Sequence, residues 1–366
     1  MNTSFISIWR KIKRHGSASA FIAGFIWDNF MLTQIDHLFA NVMLGSYLVV
    51  SAVSILVMNA PAISGAAAAG RGKFSEKFAK WLPIILQFCF GSLFSAYIIF
   101  YTRSASLSTD WPFLLFLVSL VVSNELLRKR YLSITLPVSI LFTVLFSYSI
   151  FSLPVLVGSM GTSIFILSGL ASLFVIYLFA KLLSRVAKER FKASHPSLVA
   201  SVGIIYLLFN VAYFTNVIPP VPLALKEIGV YHSITRSAGE TYTLTFEPGW
   251  WYPLTSKTSG VFHRKSNDPV YVWSAIFAPG KLIVPVFHRW QYFDDIDKKW
   301  VATDLVQFPI KGGRDEGFRG YSKKSGVFPA RWRVDVETAR KDLIGRVEFT
   351  VEDAATSLSN LVTDMR

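Results

Sequence analysis

The sequence predicts an α-helical transmembrane bundle of about seven helices followed by an all-β, antiparallel, sandwich-like C-terminal domain. Three observations predict it. Seven apolar stretches fill residues 18–218, basic residues gather in every second gap between them, and two-residue hydrophobic alternation sets in beyond residue 240.

The spans read at 18–36, 39–59, 82–101, 111–127, 132–153, 158–180 and 197–218. At about 1.5 Å per residue, each is long enough, or nearly so, to cross a hydrocarbon core roughly 30 Å thick. One set of gaps holds Arg10, Lys11, Lys13 and Arg14; Arg71, Lys73, Lys77 and Lys80; Arg128, Lys129 and Arg130; and Lys181, Arg185, Lys188, Arg190 and Lys192, against Arg103 in the other set. Basic residues in short loops stay in the cytoplasm, so residues 1–17 are expected inside and everything after Pro219 outside the cytoplasmic membrane. Ala18-Ser19-Ala20 precedes the first apolar stretch, the wrong order for a cleavage site, so that span is expected to remain as an anchor. Trp9, Trp81 and Trp111 lie near span ends, where an indole buries its ring and keeps its N–H wet.

The formal charge of +14 argues less for nucleic acid than it first suggests. Residues 222–366 contain 20 Lys/Arg and 17 Asp/Glu, so most of the excess lies in the membrane half, where topology accounts for it. The single cysteine, Cys89, lies inside the third span and reads as a small packing residue. No disulfide within the chain is possible, and the outer domain must rest on an ordinary hydrophobic core.

The first span carries Asp28 near its middle, with Asn29, Thr33, Gln34, Asp36 and His37 following. A carboxylate at that depth costs about 2.5–3.5 kcal/mol on insertion scales, so it must face the bundle interior or water. No span holds a Lys or Arg to pair with it; Asp28 is protonated or held by neutral donors such as Asn210. One reading makes Asp28, Asn29, Gln34 and Asn210 a proton or cation site, the other a hydrogen-bonded packing feature. Repeated halves and matching interrupted helices, which a transporter would add, are not evident.

Pro219, Pro220 and Pro222 end the last span and make 219–239 a stiff connector, with the outer domain at 240–366. Trp332, Val334 and Val336 alternate with Arg331, Arg333, Asp335 and Glu337. Ile344, Val347, Phe349 and Val351 do so against Arg346, Glu348 and Thr350, with one break at Gly345. Further strands are expected at 241–247, 270–278, 281–290, 299–310 and 318–322, and short strands between turn residues suggest a sandwich.

Two segments of this half draw chemical readings. The glycine-rich run 311–333 carries Arg314, Arg319, Lys323 and Lys324 beside Phe318 and Tyr321. Arg314, Arg319, Tyr321, Lys323 and Lys324 suit an anionic partner, be it a lipid headgroup, an acidic glycan or protein carboxylates; the competing reading is a solvated turn. The run from His288 to Asp297 invites a general base at His288 or calcium at Asp294, Asp295 and Asp297, but the glycine and distal glutamate of an EF-hand are absent and no nucleophile is signalled. No G-x-S-x-G, H-E-x-x-H, C-x-x-C or Walker-type loop occurs, so no catalytic residue, metal site or cofactor is assigned.

The segments IPPVPLALKEIGVYHSITR (218–236), VYVWSAIFAPGKL (270–282), VFHRWQYFDDIDKKWV (286–301), FPIKGGRDEGFRGYSKKS (308–325) and RWRVDVETARKDLIGRVEFTV (331–351) resemble a bacterial family known as domain of unknown function 2914. GFIWDNFMLTQID is similar to the opening helix of such proteins. The resemblance implies a small β-domain in the bacterial cell envelope and no activity. Ala339-Arg340-Lys341-Asp342 stands where such proteins tend to place glycine in a hairpin turn. Three function classes remain. The first is a membrane-anchored module binding an envelope protein or an anionic glycan or lipid, the second a proton-coupled or small-solute transporter centred on Asp28, and the third an envelope glycan- or lipid-acting enzyme using His288.

Overall fold

The computed structural model describes residues 38–60, 73–104, 111–126, 133–236, 241–249, 258–265, 268–280, 282–314, 316–354 and 361–366. The chain forms two compact units, one helical and lying within the chain up to Ile218, the other β-rich and made mainly of Pro219–Arg366.

The helical unit has, among the described residues, six helices: α1 (Leu38–Asn59), α2 (Lys73–Ser104), α3 (Trp111–Leu126), α4 (Thr135–Val157), α5 (Thr162–Val186) and α6 (Lys188–Phe214). Five contain stretches long and apolar enough to cross a membrane: Phe39–Asn59, Trp81–Thr102, Thr135–Val157, Thr162–Val186 and Lys188–Phe214. The hydropathy reading expected seven spans. The stretch 18–36, with Asp28, Asn29 and Gln34, lies outside the described residues, and α3, at 16 residues, reaches only about 24 Å. The helix boundaries also differ from the apolar ones. Gly158 and Gly161, both at positive φ, delay α5 to Thr162, while α6 starts in the basic run at Lys188 and continues through Pro196. Hydropathy marks what lipid tolerates, whereas Lys, Glu and Arg are good helix formers and extend a helix beyond it.

Helix α4 packs against α1, α5 and α6. Its Phe146 ring lies 4.7 Å from Phe209 and 5.8 Å from Tyr206 on α6, and 5.8 Å from Phe165 on α5. Hydroxyl pairs cross the same seams: Ser139 with Ser201 at 2.6 Å, Thr135 with Ser197 at 2.9 Å and Ser172 with Ser149 at 3.0 Å. Small hydroxyl residues let helices approach and supply hydrogen bonds where lipid supplies none. Cys89 is buried, as its apolar reading expected. Phe88, Phe174, Leu207 and Phe214 are exposed on the outer surface, an apolar exterior suited to lipid.

The β unit holds, among the described residues, eleven strands: β1 (Ala224–Tyr231), β2 (Ser233–Arg236), β3 (Tyr242–Phe246), β4 (Val261–Arg264), β5 (Val270–Phe277), β6 (Ile283–Asp294), β7 (Lys299–Lys311), β8 (Phe318–Lys324), β9 (Ala330–Thr338), β10 (Leu343–Asp353) and β11 (Val362–Met365). They form three sheets, ordered β1-β5-β8, β4-β10-β9-β6-β7 and β11-β3-β2. Pairing is antiparallel except between β4 and β10, which run parallel. The segment read as a proline-rich connector, 219–239, thus carries β1 and β2. Strand β1 reads ALKEIGVY and is buried at both Val230 and Tyr231, so it lacks the alternation that marks a one-sided strand.

Strand β5 is covered on both faces. Val270 and Val272 join Trp290, Trp332, Val334 and Phe349 in a core shared with the five-stranded sheet. Trp273 turns the other way and packs with Tyr231, Tyr242, Leu244 and Phe246 beneath the β11-β3-β2 sheet. Trp273, Trp290 and Trp332 are almost completely buried; at roughly 200 Å² each, their burial contributes at most about 5 kcal/mol apiece. The break expected at Gly345 is a register shift in the β9–β10 ladder. In the hairpin that departs from the family pattern, Lys341 adopts φ 68°, the left-handed conformation glycine favours.

Gly312, in the glycine-rich run, is fixed by close approach. Its N–H donates to the Leu282 carbonyl at 2.8 Å, and a Cβ there would stand 2.5 Å from the Pro279 carbonyl oxygen and 2.7 Å from that of Ala278. Gly260 faces open space. Gly312→Ala is therefore expected to lower the unfolding free energy of the β unit by about 2 kcal/mol, and Gly260→Ala to change it by less than about 0.5 kcal/mol. Denaturation of the detergent-solubilised chain, followed by tryptophan fluorescence, checks this; equal effects would refute the close-approach account.

Candidate binding face on the β5–β8 strand pair

Strand β8 alternates sides, and that alternation divides four of the five basic and aromatic residues singled out in the sequence. Arg319, Tyr321 and Lys323 stand opposite Ala275, Trp273 and Tyr271 of β5 and share the face that carries the small β11-β3-β2 sheet. The Tyr321 ring lies 6.4 Å from Tyr242 and 6.3 Å from Tyr271, and Tyr321 remains 42% exposed. Lys323 Nζ sits 5.8 Å from the centre of the Tyr271 ring, and the Arg236 guanidinium 5.8 Å from that of Tyr242. Arg319 reaches Glu316 at 2.5 Å, a pair whose carboxylate is largely exposed and which contributes little to stability. The result is a cluster of three tyrosine rings edged by Arg236 and Lys323, with Arg319 two residues from Tyr321 on the same side of β8. Cations beside ring faces and phenol hydroxyls can hold a carboxylate, sulfate or phosphate and stack on a sugar ring.

The other two residues lie elsewhere. Lys324 points to the opposite face, pairs with Asp304 and lies 5.5 Å from the Trp332 ring centre; its hydrogen bond holds the Asp304 carboxyl below the usual range. Arg314 lies in the β7–β8 turn, 5.9 Å from the Phe318 ring centre. Arg236, Tyr242 and Tyr271 went unread because they lie 50–85 residues away in sequence and only the stacking of sheets gathers them.

His288 is not placed to act as a general base. It is completely buried on β6, with Nε2 2.9 Å from Ser274 Oγ and Nδ1 2.9 Å from Ser322 Oγ. Trp290 Nε1–H donates to Ser322 Oγ at 3.0 Å. A consistent order has the Ser322 hydroxyl donating to Nδ1 and Nε2–H donating to Ser274. Burial pushes the imidazole pKa down to about 3, so His288 is neutral. The nearby aspartates form the β6–β7 turn: Asp294 Oδ1 accepts from the Ile296 and Asp297 N–H groups at 2.9 and 3.2 Å. Among the described residues, no group of histidine, cysteine or carboxylate side chains is placed to hold a metal ion. Asn210 donates to its own helix at the Tyr206 carbonyl, 2.8 Å away.

A second polar cluster ties β2, β3 and β4 together. Glu247 Oε1 lies 2.8 Å from His232 Nε2, and its Oε2 lies 2.7 Å from His263 Nδ1; the His263 N–H also donates to Oε1 at 2.8 Å. Burial pushes the Glu247 carboxyl up, but these hydrogen bonds outweigh it and leave the pKa below its ordinary value.

Both groups make acid destabilising, His288 alone above about pH 4.5 and Glu247 below it as well. An unfolded histidine takes up a proton near pH 6.5 while buried His288 resists until about 3, so stability is expected to fall by about 1.4 kcal/mol per pH unit between those limits. Glu247 stabilises fully above about 4.5 and loses that contribution as pH falls through its lowered folded value. Denaturation series across pH are expected to show His288→Gln flattening the first window and Glu247→Gln only the second; a wild-type profile in either variant would refute the corresponding assignment.

Residues 285–351, most of β6 through to β10, match the family model described as protein of unknown function (DUF2914). The match does not extend over 218–284, part of which carried the resemblance in the sequence. No curated protein matches the chain. Among solved structures, a β-glucosidase from Kluyveromyces marxianus aligns at 8% identity over 37% of this chain and 15% of its own, with TM-score 0.17. An alkylpurine DNA glycosylase, AlkC, from Pseudomonas fluorescens aligns at 10% identity over 88% and 99%, with TM-score 0.20. A β-glucosidase from Listeria innocua aligns at 11% identity over 36% and 16%, with TM-score 0.16. The chain thus spans only about one sixth of either glucosidase. Likenesses this faint carry neither fold nor chemistry to this chain.

Proposed function

We propose that the protein is a membrane-anchored binding module, with the helical unit embedded in the cytoplasmic membrane and the β unit holding an anionic envelope partner outside it. The observation that carries the reading is the cluster of Tyr242, Tyr271 and the exposed Tyr321, with Arg236 beside Tyr242, Lys323 beside Tyr271, and Arg319 on the same side of β8. The outside location is supported by the alternating basic gaps, which set a cytoplasmic amino terminus. Asp28, Asn29 and Gln34, on which a transporter reading turns, lie outside the described residues, and the burial of His288 removes the base on which the enzyme reading turned.

In-cell photo-crosslinking from a photoreactive residue at Tyr321, read by mass spectrometry, tests the module. A discrete adduct with an envelope protein or acidic glycan is expected. Arg319→Glu/Lys323→Glu should reduce it by at least about tenfold, since charge-assisted contacts contribute about 1.5–3 kcal/mol each. Lys298→Glu, at the exposed β6–β7 turn, should leave it unchanged. Lipid adducts alone, or an adduct indifferent to the double reversal, would overturn the proposal.

A further inference from the structure

We propose that the elbow between α5 and α6 binds the phosphate of an anionic phospholipid headgroup, an inference that rests on the membrane reading above. Helix α5 ends at Val186 and α6 begins at Lys188, so Ala187 alone turns the chain. Beside the turn opens a cavity of about 600 Å³ whose lining includes Arg185, Lys188, Lys192 and His195, together with Phe191 and Pro196. On α6, positions 188, 192 and 195 follow the spacing that places side chains on one helical face. Among the described residues, no carboxylate forms an ion pair with Arg185, Lys188 or Lys192, and Glu189 is the sole acidic residue between 181 and 200.

The surroundings set the depth and the chemistry. Tyr177, Leu178 and Leu182 before the elbow and Val199 after it are exposed apolar side chains. Lipid-facing surface therefore flanks the basic cavity on both sides in the chain, which places it in the headgroup layer. The Phe191 ring lies 5.6 Å from the His195 ring, and Pro196 adds a second apolar surface suited to the glycerol and upper acyl carbons. Topology alone accounts for basic residues in this gap, but it does not require several of them to share a cavity without counter-ions. Lys181 and Arg190 are equally basic and lie outside that lining.

This difference supplies the test. The full-length chain is reconstituted into nanodiscs of mixed phosphatidylcholine and phosphatidylglycerol, and the lipids it retains are counted by native mass spectrometry. The wild type is expected to keep phosphatidylglycerol preferentially. Lys188→Gln/Lys192→Gln should lower that retention about 30-fold, the combined effect of two basic residues at an anionic surface. Lys181→Gln/Arg190→Gln removes the same charge from the same elbow and should stay within about twofold of wild type. Arg185→Gln alone should lower retention in the same direction, should the first double variant fail to incorporate. Equal losses in both double variants, or no preference for phosphatidylglycerol, would overturn the site. Displacement of the lipid by soluble glycerol 3-phosphate would assign the cavity to a free phosphate ester instead. A wild-type chain that does not enter the discs overturns the membrane reading itself, and the lipid site with it.

Discussion

The β unit depends on strand β5 being buried on both faces. A strand in that position cannot alternate apolar and polar residues, and VYVWSAIF does not. Its even-numbered residues face the five-stranded sheet, its odd-numbered residues the small β11-β3-β2 sheet, and β1 and β8 flank it. Ser274 is the polar exception on the inner side. With Ser322 of β8 it reaches the neutral imidazole of His288 across the gap between sheets. A polar cluster in a dry core costs free energy unless its members satisfy one another, and here each nitrogen of His288 and the Trp290 N–H has a partner. The cluster fixes the register of β5 and β8 over β6: slipping any one strand by a residue would turn its polar member away from the others.

The candidate binding face is a consequence of the same layering. Tyr231 and Trp273 are sealed beneath the small sheet, whereas Tyr321 on the edge strand β8 is open. A cover of three short strands over a sheet that ends in β8 leaves a rim where aromatic rings meet water. Rim residues pack partly against the core and partly face solvent, which suits tyrosine, with its apolar ring and polar tip.

The sequence makes the alternating strands visible, and the two-sided β5 through its apolar run, but hides β1 and the shortest strands. Strands β9 and β10 were legible because Trp332, Val334 and Val336 alternate with charged residues, and even the Gly345 break was readable. Strands β1, β2, β4 and β11 were not. β1 is buried on both faces near its end, and the others have four residues each, too few for a period to establish itself. Within the candidate face, Arg319, Tyr321 and Lys323 were accessible to sequence reasoning through their local density of charge. Tyr242 and Tyr271 were not, because their proximity is set by how sheets stack. His288 shows the converse: its neighbours in the chain are aspartates, which invited a general-base reading, while its neighbours in space are serines.

Alternation also misstates the charged side of β9. Asp335 and Glu337, read as facing water, are nearly buried. Arg289 holds Glu337 at 2.5 Å, Arg346 holds Asp335 at 2.5 Å, and Gln291 donates to Asp335 at 2.9 Å. Arg333 stacks 4.3 Å from the Trp300 ring centre. On this sheet the arginines are committed to carboxylates and aromatic rings, and their stems shield the face. Lys324 is likewise committed to Asp304. Among the described residues no carboxylate pairs with Lys323 on the opposite face of β8, where it lies beside Tyr271. A domain with nearly balanced charge thus gains a local positive potential by pairing its cations elsewhere. That distribution, more than the total, is what an anionic partner would encounter.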